Sequence, residues 1–302
     1  MKICMYAFFS DILRREGACE AVRFVKNCGF DAFEVLQALR PGARPLFESA
    51  DKARELRALM DKEGLRCACY SISANVLADN LGESFDQSGV DALKHCADMA
   101  KILGSPFLHH TLTIGYVPSD PAADSLDAIL DDLLDRASEV AEYANSLGLT
   151  VLYEPQGFYV NGLDGFTRFY EGMKQRGYKI GVCGDVGNSL YVNCAPDAFF
   201  AKYASEVLHV HLKDLHVEDE VLSRQNAAPS RSWNAIRDGR MITETRLGEG
   251  MVDMDACMAH LRRVRYNGYY ALETCYWNNL SVSLAENLAR DCAYMLENYP
   301  EN

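Results

Sequence analysis

The sequence predicts an α/β fold, a single (β/α)8 TIM barrel over residues 1–302, and three observations carry that expectation. Apolar runs of strand length alternate eight times with longer stretches of helical period; repeats of this kind imply parallel strands joined by crossover helices. The chain's 302 residues suit one such barrel, which runs to about 250 residues or more as a single unit. No G-x-G-x-x-G follows the first strand, as an open dinucleotide-binding sheet would require.

In chain order the predicted strands are ICMYAFF (3–9), DAFEVLQ (31–37), RCACYSIS (66–73), PFLHHTL (106–112), TVLYEP (150–155), KIGVCGD (179–185), VLHVHLKD (207–214) and YYALET (269–274). Predicted helices include EAVRFVKNCG, ESADKARELRALMDKEG, DALKHCADMAKILG, LDAILDDLLDRASEVAEYANSLG, DMDACMAHLRRVRYNG and SLAENLARDCAYMLENY. Several place apolar residues at i, i+3, i+4 and i+7, and several end in glycine (Gly29, Gly64, Gly104, Gly148), the residue a helix C-terminus favours. One connection is out of proportion: residues 215–250, after the seventh strand, carry Trp233 and Arg224, Arg231, Arg237, Arg240 and Arg246. A connection of that length usually has a role, here expected as an active-site cover or a subunit contact.

Composition narrows the classes. Apolar residues make up 49% and charged residues 24%, an ordinary globular balance with no apolar run long enough to span a bilayer. The opening residues are expected to be a strand, not a signal peptide. The eleven cysteines are odd in number and scattered through apolar segments, which fits buried thiols in a reducing cytoplasm. Cys67 and Cys69 lack the further ligands of a structural zinc site. A net charge of −13 argues against nucleic acid as a partner.

In a barrel of this kind the site lies at the C-terminal ends of the strands. Four consecutive predicted strands end in a metal-ligating residue: Glu154 in LYEP, Asp185 in GVCGD, His211 in HVHLKD and Glu273 in ALET. Adjacent strands are ~4.8 Å apart, so these four side chains can converge. Three clustered carboxylates repel one another unless a cation offsets them. An oxygen-rich set with one imidazole suits one divalent ion, Mn²⁺, Mg²⁺ or Co²⁺ in preference to Zn²⁺. Alternation puts His209, His211 and Lys213 on one face. His209 is expected as a buried core histidine, Asp214 as a cap or supporting carboxylate, and Lys213 either as a substrate contact or as the partner of an acid.

The segments LYEP, GDVGNS, HVHLKD, LGEG (247–250) and ALET, with GFDAFEV at the second strand, resemble the xylose isomerase-like barrel superfamily. This group includes ketose 3-epimerases, hydroxypyruvate isomerases, inosose dehydratases and, more distantly, abasic-site nucleases of the endonuclease IV type. The resemblance covers nearly the whole chain. It implies a single divalent-metal site at Glu154, Asp185, His211 and Glu273, with Glu154 and Glu273 moving protons on opposite faces of the substrate.

Two positions depart from the epimerase pattern: Asn188 stands where those enzymes carry a histidine, and Lys213 and His216 stand where an arginine would follow His211. Lys213 is similar to the lysine of dehydratase-like members and could supply the electrophilic role. The expected function is a metal-dependent sugar isomerase or epimerase that abstracts a proton next to a carbonyl of a keto-sugar or polyol derivative. A dehydratase or β-eliminating lyase acting on an inosose or 3-keto-glycoside is the alternative. A nuclease is disfavoured by the charge and by only seven histidines. Expected substrate contacts are Asn188, one of His109 and His110, Glu34 unless it is a barrel-floor carboxylate, and Trp277. Arg246 either clamps an anionic group or faces solvent or a subunit contact. Tyr6, Phe8, Tyr70 and Trp233 are candidates for an apolar wall. The expected protein partner is a second copy of the chain.

Overall fold

The computed structural model describes residues 1–6, 8–39, 45–76, 87–113, 126–157, 159–225, 233–274 and 283–300. Its strands are β1 (Lys2–Met5), β2 (Ala32–Ala38), β3 (Arg66–Ser73), β4 (Phe107–His110), β5 (Thr150–Tyr153), β6 (Ile180–Asp185), β7 (Val207–Leu212), β8 (Asp214–Glu218), β9 (Asn234–Ala235), β10 (Met241–Thr245) and β11 (Tyr269–Leu272). Eight of them close into a barrel in the order β1-β11-β7-β6-β5-β4-β3-β2. Every barrel pairing is parallel, and β11 closes the ring between β7 and β1. The fold is therefore a single TIM-barrel domain, as the strand–helix alternation predicts.

The helices are α1 (Phe8–Glu16), α2 (Ala18–Asn27), α3 (Ala50–Glu63), α4 (Gln87–Leu103), α5 (Leu126–Ser146), α6 (Gly162–Gln175), α7 (Pro196–Tyr203), α8 (Glu220–Gln225), α9 (Met254–Arg263) and α10 (Leu284–Asn298). The four glycines expected to end helices all adopt positive φ; Gly64, at φ 68°, closes α3 in the left-handed region that only glycine enters without strain. Asn161 and Asp253 cap α6 and α9 with their side chains, and Ser283 and Glu286 form a capping box on α10.

The first strand is shorter than the expected 3–9. It stops at Met5, and Phe8 and Phe9 instead open α1. A short apolar run does not reveal its own period; here Phe8, Phe9 and Ile12 face the core at helical spacing, and Phe9 stacks on Phe33 of β2 with ring centroids 3.6 Å apart. Burying each such ring contributes about 1.5–3 kcal/mol. Phe8 and Tyr70, expected as candidates for a substrate wall, thus belong to the layer between barrel and helices. The Tyr70 hydroxyl donates to Gln37 Oε1 at 2.9 Å, and its ring packs against Phe47.

The excursion at 215–250 is also more regular than a loop. Strands β8, β10 and β9 form an antiparallel sheet, packed through Tyr191, Leu215, Ile236 and Ile242. Asp214 is its fastening. Oδ1 accepts the backbone N–H of Leu215 at 2.9 Å and Val252 at 3.1 Å. Oδ2 accepts those of Gly248 at 3.0 Å and Gly250 at 2.9 Å. A Cβ on Gly250 would lie 2.0 Å from Asp214 Oδ1, so the second glycine of LGEG permits this close approach. Arg240 lies on the surface of this unit, bonded to Asp238 and Asn193. Trp233 is half-buried beside His216.

Candidate active site

Alternation along the strands sets which side chains enter the barrel. One inward layer contains Cys69, Leu152 and Cys183, small enough to fill the narrow interior. The next inward residues toward the mouth are two positions further on, and they are polar: Ser71, Glu154 and Asp185. Register completes the set, because Asp185 pairs with His211 between β6 and β7, and Ala271 pairs with His211 between β7 and β11. Glu273 follows two residues after Ala271, on the same face.

Glu154, Asp185, His211 and Glu273 are thereby brought together, and one ligand atom from each lies within 4.8 Å of all the others. His211 Nδ1 is the hub, 2.9 Å from Glu154 Oε1, 3.0 Å from Glu273 Oε2 and 4.0 Å from Asp185 Oδ2. Lys213 Nζ lies on the mouth side, 3.0 Å from Asp185 Oδ2 and 2.8 Å from Glu273 Oε1. It also donates to Asn188 Oδ1 at 3.0 Å. Of the two readings of Lys213, the geometry shows the acid partner, since its ammonium pairs with both Asp185 and Glu273. Gly187 makes room for its stem, since a Cβ there would approach Lys213 Cγ to 2.8 Å.

Asp185 Oδ1 accepts the N–H groups of Gly187 at 2.8 Å and Asn188 at 2.6 Å, which fixes the carboxylate at the end of its strand. Its Oδ2 and Glu273 Oε2 are buried and make no hydrogen bond, although both lie within ion-pair distance of a cation. Buried oxygens with unused acceptor capacity, facing an imidazole nitrogen, are what a hard divalent ion requires.

The electrostatics agree. Burial raises the Asp185 carboxyl to about 7 against the pull of Lys213, and Glu154 and Glu273 add to the rise. Burial opposes charge on His211, but the carboxylates of Glu34, Glu154 and Glu273 outweigh it and hold the imidazolium well above its usual range. For Glu154 and Glu273 burial acts upward, and His211 and Lys213 respectively lead the interactions that bring each below the ordinary carboxylate value. So many charges in one buried site require cations among them.

Of the histidine pair on β4, His109 faces inward. Its Nδ1 lies 3.0 Å from Ser71 Oγ and its Nε2 3.4 Å from Glu154 Oε2. His110 points the other way, packing edge-on against Tyr153 and donating from Nδ1 to the Thr111 carbonyl at 3.1 Å. Burial pushes His110 down to about 4.

That shift carries a testable sign. The unfolded chain takes up a proton near the ordinary 6.5, whereas the folded chain resists until about 4; stability from this residue is therefore complete above 6.5 and is lost as pH falls toward 4. The difference is about 3 kcal/mol. Urea unfolding at pH 6.5 and pH 4 is expected to show a smaller acid loss in His110→Gln than in the parent chain, and equal losses would refute it.

Glu34 is fully buried and takes the floor position, bonded to Ser71, His209 and His211. Burial works against its ionisation, yet His211 and His209 together bring its carboxyl below the ordinary range. His209 is the hydrogen-bonded core histidine expected from its depth, kept neutral chiefly by burial. Tyr6 sits edge-on to the His211 ring at 5.0 Å. Arg246 follows β10, half-buried, and Trp277 lies outside the described residues. Ser71, which links Glu34 to His109, is absent from the expected set; its signal was the alternation Cys67, Cys69, Ser71 in RCACYSIS.

Residues 22–297 match the family model described as the xylose isomerase-like TIM barrel, and the chain belongs to that family. A rhizopine catabolism protein, MocC, from Rhizobium meliloti is 28% identical over 127 residues, a match spanning 40% of this chain and 38% of that protein. Among solved structures, a 3-keto-D-glucoside 4-epimerase from E. coli superposes with a TM-score of 0.67 at 18% identity, over 98% of this chain and 99% of that one. A xylose isomerase-like TIM barrel protein from Mycobacterium smegmatis, in complex with magnesium, superposes with a TM-score of 0.68 at 15% identity, over 98% and 95% of the two chains.

Proposed function

We propose that the chain is a divalent-metal-dependent sugar isomerase or epimerase that moves a proton on a carbon next to the carbonyl of a keto-sugar or polyol derivative. The observation that carries this reading is the convergence of Glu154, Asp185, His211 and Glu273, with Asp185 Oδ2 and Glu273 Oε2 lacking hydrogen bonds. Those four residues would hold the ion. Mn²⁺, Mg²⁺ or Co²⁺ fits the oxygen-rich set better than a thiol-bound metal, and burial keeps the nearby Cys183 thiol protonated. Such an ion supplies Lewis acidity toward a carbonyl.

The remaining work falls to side chains of this chain. A base must stand about 3 Å from the C–H it attacks, and Glu273 is suited to that, with a side chain 13% exposed at the mouth while that of Glu154 is 3% exposed. Glu154, on the far side of His211 and beside His109, is the carboxyl that would return a proton from the opposite face. Lys213 would steady the negative charge that grows on the carbonyl oxygen. Asn188 Nδ2 is buried without a hydrogen-bond partner, a cost of about 1–3 kcal/mol that a substrate hydroxyl would relieve.

Lys213 also supports a second reading. An ammonium held 2.8 Å from Glu273 can protonate a departing oxygen as the Glu273 carboxylate takes the carbon-bound proton, so that a C=C bond forms while the C–O bond breaks, which is the balance of a β-elimination. Incubation of the Mn²⁺-loaded chain with a panel of keto-sugars in deuterated water separates the outcomes by NMR. Solvent deuterium at the carbon beside the carbonyl is expected. Loss of water from an inosose, or of the aglycone from a 3-keto-glycoside, would select the lyase, and no exchange with any ketose would sink the isomerase.

A further inference from the structure

We propose that Glu34 is a positioning residue whose single buried carboxylate holds a proton on Nε2 of His209 and of His211 and, through Ser71, on Nδ1 of His109. The inference rests on the metal-site reading only for the use to which His211 puts its remaining nitrogen.

An ionised carboxylate can only accept hydrogen bonds, so every group bonded to Glu34 must bring a hydrogen. His209 Nε2 approaches Oε2 at 2.6 Å. His211 Nε2 approaches Oε1 at 3.0 Å and Oε2 at 3.2 Å. Both rings are therefore protonated at Nε2.

The third donor is the Ser71 hydroxyl, bonded to Oε1. Its one proton is committed there, so toward His109 Nδ1, 3.0 Å away, the Ser71 oxygen can only accept. His109 accordingly carries its proton on Nδ1. An orphaned atom agrees with this assignment: His209 Nδ1 is buried without a hydrogen-bond partner, as the bare nitrogen of a neutral ring in this tautomer would be.

The consequences lie at the mouth. With Nε2 tied to Glu34, Nδ1 is the only His211 nitrogen that can give up its proton and turn a lone pair to a cation among Glu154, Asp185 and Glu273. A carboxylate behind a metal-binding histidine fixes ring orientation and tautomer in this way. His109 in turn brings Nε2 to within 3.4 Å of Glu154 Oε2, next to the carboxyl proposed to carry a proton. One floor residue thus prepares both the ligand face and the proton-transfer face.

The test uses the full chain labelled with ¹⁵N-histidine, observed by long-range ¹H–¹⁵N spectra in EDTA and again with diamagnetic Mg²⁺. His209 and His211 are expected to show a proton on Nε2, and His109 on Nδ1; the His211 Nε2 proton should persist when Mg²⁺ is added. In Glu34→Gln one of the two acceptor oxygens becomes an NH2 group that can only donate, so Ser71 or a ring nitrogen loses its acceptor. At least one Nε2 proton pattern is then expected to change, and the Mn²⁺ dissociation constant from calorimetry to rise roughly 10- to 100-fold. Ser71→Ala is expected to alter His109 alone, and it serves as the deciding variant if Glu34→Gln does not fold. Glu34→Asp is expected to recover part of the affinity.

A parent spectrum with His209 or His211 bare at Nε2, or a Glu34→Gln chain with unchanged rings and Mn²⁺ affinity, would overturn the proposal. If the parent chain bound neither Mn²⁺, Mg²⁺ nor Co²⁺, the metal reading would fail, and the spectra in EDTA would still decide the role of Glu34.

Discussion

Glu273→Gln is expected to lower solvent-deuterium exchange into a ketose by roughly 10²–10⁴-fold, the contribution of a positioned general base, and to weaken Mn²⁺ binding. The substitution keeps the shape of the side chain and retains an oxygen that can accept from Lys213, now 2.8 Å from Oε1. It removes the two properties the proposed reaction uses: a site for the substrate proton, and the charge on Oε2, which lies 3.0 Å from His211 Nδ1 without a hydrogen bond. The measurement pairs NMR exchange rates at saturating Mn²⁺ with calorimetric titration of the metal. Saturation matters, because a variant that merely loaded less ion would recover its rate when more was supplied. Full exchange in the loaded variant would remove Glu273 from the chemistry and leave Glu154 as the base.

Much of this site was legible because a strand repeats every two residues. Glu154, Asp185, His211 and Glu273 stand at the ends of four consecutive parallel strands, and parallel pairing in a closed barrel brings such ends together. The same period placed His209 beneath His211 and sent Asp214 to the other face, where it holds the LGEG turn. What alternation does not supply is depth and distance across the barrel. Glu34 meets His209 and His211 from the far side of the ring, at sequence separations of 175 and 177, and nothing local in FEV or HVH announces that contact. The choice between His109 and His110 likewise depended on where β4 starts relative to β3, a register set by Tyr70 pairing with Leu108. The end of β1 and the small sheet after β7 escaped for a different reason: short apolar or mixed runs fit either period, and packing decides them.

Lys213→Met is the sharpest companion experiment, because it is expected to lower turnover while moving metal affinity in the opposite direction from Glu273→Gln. Methionine preserves much of the apolar stem lying against Gly187 and deletes the ammonium. Loss of one donor that stabilises a growing oxyanion typically costs about 10²–10³-fold in rate, so exchange should fall by that order at saturating Mn²⁺. The ammonium lies 3.0 Å from Asp185 and 2.8 Å from Glu273, where it offsets two of the four proposed ligands and would repel an incoming cation. At an effective dielectric of about 20, unit charges 4 Å apart interact by about 4 kcal/mol; even a third of that, after desolvation is discounted, tightens Mn²⁺ binding by about tenfold. A fall in both rate and affinity would mean that Lys213 supports the architecture of the site and not the charge on the substrate. Retained exchange with abolished elimination would assign Lys213 to a leaving group and place the chain among the lyases.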